Sequence, residues 1–125
     1  KIREATGDFT YESGGVALQE LYGEGVNRPT AIISVNDMMA LGCMDEARAV
    51  LELKVPDDLS VAGFDGTGVS QFASYELTTI RQPIGRMSQA AVNMIAARVE
   101  SPDQSNEKRV FEGALIEGGS IAKAP

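Results

Sequence analysis

The chain has 125 residues, enough for one domain, and a hydrophobic content of 43% that supplies a sizeable core. Thirteen glycines and five prolines follow no repeat, which excludes collagen-like and low-complexity chains. A net charge of −7 with no Lys/Arg cluster repels a phosphate backbone, so direct nucleic-acid contact by this stretch is disfavoured.

The single cysteine, Cys43, allows no internal disulfide, in keeping with a reducing compartment. Set among Ala40, Leu41 and Met44, it reads as a buried structural thiol rather than a nucleophile. No apolar run reaches the roughly 18 residues that a membrane span needs. The opening residues KIREATGDF hold no apolar signal-peptide core and no initiator Met, so the expectation is a fragment or processed piece of a longer chain.

In chain order, Glu12 to Tyr22 is predicted helical from Val16, Ala17, Leu18, Leu21 and Tyr22, with Thr10 or Ser13 as cap and Gly23 and Gly25 as stop signals. Ala31 to Val35 is a short β-rich apolar run, the pattern of a strand buried on both faces. Asn36 or Asp37 caps a helix from Met38 to Leu53. Met39, Cys43, Ala47, Val50 and Leu51 form its main stripe, and Met38, Leu41 and Met44 form a second patch. Leu59 to Phe64 is another buried strand, which completes a βαβ unit with parallel strands. Gly66 to Glu76 is a Gly/Ser-rich loop with room for one helical turn, and Leu77 to Arg81 is extended up to Pro83. Gly85 to Val99 is an amphipathic helix with Met87, Ala91, Met94, Ile95 and Val99 on its apolar side. A polar loop and a last strand, Arg109 to Ile116, follow it. The fold class is α/β, built on a parallel Rossmann-like sheet.

In such sheets ligands bind beyond the carboxyl ends of the strands, where loops are free of the ladder and helix N-termini point inward. That rule selects Asn36 and Asp37 after one strand and Asp65 after the next. Phe9, standing before a helix, is a third candidate. An aromatic face beside an amide and a carboxylate suits a sugar or a nucleobase. Each residue also has an ordinary role open to it: a cap for Asn36 and Asp37, a strand-ending turn for Asp65, and core packing for Phe9.

Catalytic patterns are lacking. There is no histidine, no P-loop, no dinucleotide fingerprint and no Gly-x-Ser-x-Gly elbow. Asp37 and Asp65 at strand ends are the nearest thing to a Mg²⁺ or phosphoryl site, without a clear third partner. The chain is read as a non-enzyme that needs no cofactor and has no metal ligands.

Four stretches in order resemble the C-terminal part of the LacI/GalR family of bacterial transcription regulators. They are Gly7-Asp8-Phe9-Thr10-Tyr11-Glu12-Ser13-Gly14; Pro29 through Asn36-Asp37-Met38-Met39-Ala40-Leu41-Gly42; Val55 through Asp65; and Leu77-Thr78-Thr79-Ile80-Arg81-Gln82-Pro83. The resemblance implies a sensor core of two subdomains, like that of periplasmic sugar-binding proteins (type I), here incomplete. It implies residues 1–80 as the C-terminal subdomain without its first strand and helix. Residues 81–109 would be a hinge crossing and a helix of the other subdomain, and 110–125 a return strand and tail. By motif position Phe9 is similar to the aromatic that packs on the effector, Asn36 and Asp65 to its polar contacts, and Gln82 to a cleft-lining residue, while Asp37 is read as a cap. The second patch of Met38, Leu41 and Met44 is either part of a dimer interface or ordinary core. The implied protein is a cytoplasmic homodimer that binds a sugar or purine-class effector, and operator DNA through an N-terminal helix-turn-helix. A periplasmic solute-binding protein of a sugar transporter is the alternative. Two departures stand out. Tyr75-Glu76 occupies the place where the family often has Pro, and Gly118-Gly119 replaces an expected arginine ahead of Ser120.

Overall fold

The computed structural model describes residues 2–23 and 27–123. The chain forms two compact units, Lys1–Arg81 with Leu115–Pro125, and Gln82–Ala114. Helix α1 (Tyr11–Leu21) and helix α2 (Asp37–Ala49) of the first unit cover a sheet of β1 (Ala31–Ile33), β2 (Ser60–Asp65), β3 (Thr78–Arg81) and β4 (Ala114–Ile116), in that spatial order. The pairs β1–β2 and β2–β3 are parallel, with Ile33 opposite Ala62 and Asp65 opposite Arg81. Helix α2 is the crossover between β1 and β2, as the βαβ pattern predicts. A short 3₁₀ turn at Val69–Gln71 lies between β2 and β3.

The core lies between the two helices and one face of the sheet. Leu18, Leu41, Met44, Leu59, Val61 and Leu77 are almost fully buried there. The helices meet backbone to backbone. A Cβ at Gly14 would stand 2.0 Å from the Met39 carbonyl oxygen, and one at Gly42 would stand 1.8 Å from that of Tyr11. Only glycine permits so close an approach. Cys43 sits in this core, and burial pushes its thiol up to about 12, which fits the structural reading.

Of the two readings open for the second patch, ordinary core packing is the one realised for Leu41 and Met44, and only Met38 reaches the surface. Other expectations are corrected. The strand from Ala31 is not buried on both faces, since Ile33 is 85% exposed and Val35, Phe64 and Leu115 are also exposed. Alternate residues of a strand face opposite ways, and the described residues leave this second face open. Helix α2 ends at Ala49 rather than Leu53, because the chain turns back at Glu52 (φ 53°) and the Leu53 amide bonds the Ala47 carbonyl. The last strand begins at Ala114 rather than Arg109, because only there does the chain join the sheet ladder. Gly25, a proposed helix stop, lies outside the described residues.

The tail completes the sheet. Ser120 is buried, its Oγ accepting the Thr78 amide at 2.8 Å and donating to the Val61 carbonyl at 2.6 Å. A Cβ at Gly118 would lie 1.9 Å from the Glu76 carbonyl oxygen, which explains glycine there instead of a bulky residue. In the second unit, helix α3 (Ile84–Glu100) leaves Ile95 and Val99 of its apolar side exposed. Arg98 donates to the Pro102 and Gln104 carbonyls and folds the following polar loop back on the helix end.

A second tie joins α1, α2 and the loop before β3. Oδ2 of Asp45 accepts the hydroxyls of Tyr11 (2.6 Å) and Tyr75 (2.8 Å). This bond favours the protonated phenol, raising Tyr11 to about 12 and Tyr75 in the same direction. Tyr22 is raised by burial. A folded-state pKa above the unfolded value near 10 means stability is fully present below pH 10 and is lost as pH rises towards 12. An ultraviolet alkaline titration should therefore show all three tyrosines ionising late. Asp45→Ala should return two of them, not Tyr22, towards 10.

Candidate functional site

The carboxyl ends of β1 and β2 carry Asn36 and Asp65. Asn36 and Asp65 each stand three residues beyond the paired Ile33 and Ala62, so they leave adjacent strands at matching heights. Asn36 is the cap of α2, its Oδ1 accepting the Met39 amide at 2.8 Å. Its Nδ2 donates to the Phe9 carbonyl at 3.0 Å. The capping role left open by the sequence is thus realised, and the same amide fixes the neighbouring aromatic residue.

Phe9 is not core. The residue is 67% exposed, and its backbone has φ 70°, a left-handed conformation that bulky residues avoid. Two bonds from Asp8 hold this turn. Oδ1 of Asp8 accepts the Thr10 hydroxyl at 2.6 Å and the Thr10 amide at 3.2 Å. The same hydroxyl bond lowers the pKa of the exposed Asp8 carboxyl. Thr10 then caps α1 through the Ser13 amide. Phe9 is therefore held outward from both sides, by Asp8–Thr10 and by Asn36.

Asp65 closes β2 half-buried, with φ 128°, and Gly66 follows at φ 71°. Gln82 directly follows Arg81, the register partner of Asp65, and opens the second unit half-buried. The structure brings Phe9 and Asn36 into contact and sets Asp65 on the adjoining strand end.

Asp37 does not cap the helix. It is 0% exposed, and its Oδ2 accepts the amide (2.7 Å) and hydroxyl (2.9 Å) of Thr67, while Oδ1 accepts the Thr79 hydroxyl at 2.5 Å. A carboxylate so enclosed is not placed to take Mg²⁺ or a phosphoryl group. Thr67 and Thr79 were missed in the sequence. The available signal was the polar pair Thr78-Thr79 in a strand that otherwise reads as buried, since a buried hydroxyl needs a partner.

A sequence profile described as a periplasmic binding protein-like domain matches residues 2–121. The chain belongs to this family. The HTH-type transcriptional repressor CytR of Escherichia coli K12 is 36% identical over 121 residues, covering 97% of this chain and 35% of the repressor. A LacI-type transcription regulator from Bifidobacterium animalis subsp. lactis has 35% identity and a TM-score of 0.82, over 94% of this chain and 41% of that one. A LacI family regulator from Enterococcus faecalis V583, solved with bound ribose, has 26% identity and a TM-score of 0.81, over 95% and 43% of the two chains. The chain thus spans about a third of the length of the curated relatives it matches. These matches bear out the α/β periplasmic-binding-protein-like fold expected from the sequence. They favour regulators over transporter binding proteins.

Asn36 and Phe9 should separate in stability. Asn36→Ala removes the α2 cap and should cost about 1 kcal/mol in urea unfolding. Phe9→Gly relieves a left-handed non-glycine residue with an exposed ring. It should be neutral or stabilising by up to about 1 kcal/mol. A large loss in Phe9→Gly would mean that the ring supports the fold.

Proposed function

We propose that this chain is the effector-sensing and dimerisation region of a LacI-type transcription regulator, with Phe9, Asn36, Asp65 and Gln82 in contact with a sugar or nucleobase-type effector. The observation that carries the reading is Phe9, an exposed ring kept in a left-handed turn by Asn36 at the carboxyl edge of a parallel sheet. Asn36 and the Asp8–Thr10 bonds hold this residue in a conformation that bulky residues avoid, and the apolar face of a sugar or base suits such a ring. The bound ribose of the Enterococcus faecalis relative supports the same ligand class. In this reading the first unit is the C-terminal subdomain. The second, with the crossing at Arg81 to Pro83, belongs to the neighbouring subdomain.

The region neither catalyses a reaction nor touches DNA itself. The parent is a cytoplasmic homodimer whose helix-turn-helix heads bind the operator, and effector binding changes the balance between two arrangements of the subdomains. The acidity of this stretch fits that division of labour. No helix among the described residues is long and apolar enough to cross a membrane.

D-ribose, cellobiose and adenosine titrated into the isotope-labelled chain test the assignment, because chemical-shift mapping registers millimolar binding. The expected changes centre on Phe9, Asn36 and Asp65 and vanish in Asp65→Ala. Undiminished affinity in that variant, or shifts confined to other surfaces, would contradict the assignment.

A further inference from the structure

We propose that Asp37 is a positioning residue of the effector site, a buried carboxylate that fixes the turn carrying Asp65. The inference rests on the ligand role given to Asp65 above. It arises from three elements meeting at one side chain. Asp37 is the first residue of α2, Thr67 lies two residues beyond Asp65, and Thr79 is in the middle of β3. Among the described residues, its donors Thr67 and Thr79 lie outside its own helix. Capping of α2 is left to Asn36, so Asp37 acts between elements rather than along one.

Burying a carboxylate is costly unless donors replace its water, and charge-assisted bonds are the strong ones. Here two oxygens receive three donors. Room for them is made by Gly63 in β2, where a Cβ would stand 2.6 Å from Asp37 Oδ1. The turn itself needs an anchor. Asp65 and Gly66 are consecutive positive-φ residues, and a Cβ at Gly66 would meet the Arg81 Cα at 2.7 Å. The turn is therefore fitted closely to β3 and tied down at Thr67. From there the Thr67 carbonyl accepts the Ser70 hydroxyl at 2.7 Å and launches the 3₁₀ turn. The consequence is preorganisation. Asp65 is set before an effector arrives, which lowers the ordering cost of binding.

Amide hydrogen exchange and φ-sensitive couplings on the labelled chain test this without a ligand. In Thr67→Val the amide at position 67 should exchange about tenfold faster, the scale of one lost hydrogen bond. The Asp65 and Gly66 couplings should move towards averaged values while Leu41, Met44 and Val61 keep their protection. Thr67→Ser, which retains the hydroxyl, should restore the wild-type pattern. Asp37→Ala should show the same local signature more strongly, and where it fails to fold, Thr67→Val decides. Unchanged couplings, or a uniform loss of protection through the core, would overturn the proposal. Asp65→Ala leaves the Asp37–Thr67 bonds in place, so failure of the effector assignment would appear in the ribose titration and not here.

Discussion

The structure turns on the start of α2, where two neighbouring polar residues face opposite ways. Asn36 looks outward, closing the helix end and holding the Phe9 carbonyl. Asp37 looks inward and gathers Thr67 and Thr79. Each satisfies buried or orphaned donors that the fold would otherwise leave without partners. Together they connect the segment before α1, the end of β1, the turn after β2 and the middle of β3. The candidate binding edge is held by these bonds more than by apolar packing, which lies deeper, around Leu18, Leu41 and Met44.

The apolar architecture supports that edge from below. Glycines at 14 and 42 let α1 and α2 touch through their backbones, which brings the Phe9 turn close to Asn36. Ser120 and Gly118 tie the tail to β2 and β3 from the other end of the strands. The opposite face of the sheet keeps Ile33, Val35, Phe64 and Leu115 exposed within this chain.

Much of the fold was legible because its signals are local. Apolar runs bounded by turn residues marked β1 and β2, and helical spacing marked α1, α2 and α3. What failed depended on partners distant in sequence. Both-face burial of β1 requires a layer that the residues of a strand cannot reveal. Leu41 and Met44 read equally as patch or core until α1 was in place. At the site, strand-end position picked out Asn36 and Asp65, and Phe9 by its place before a helix. Spacing alone did not distinguish the work of Asn36 from that of Asp37. Both residues can cap, and only the three-dimensional position of Thr67 and Thr79 assigns the inward role to Asp37.

The central bond is that between the Asp37 carboxylate and the Thr67 amide. A scalar coupling across that hydrogen bond, from the Thr67 amide nitrogen to the Asp37 carboxyl carbon, can be read in the labelled chain with no effector added. A measurable coupling is expected, present in Asp65→Ala and absent in Asp37→Ala. A Thr67 amide that exchanges freely with solvent and shows no coupling would contradict it.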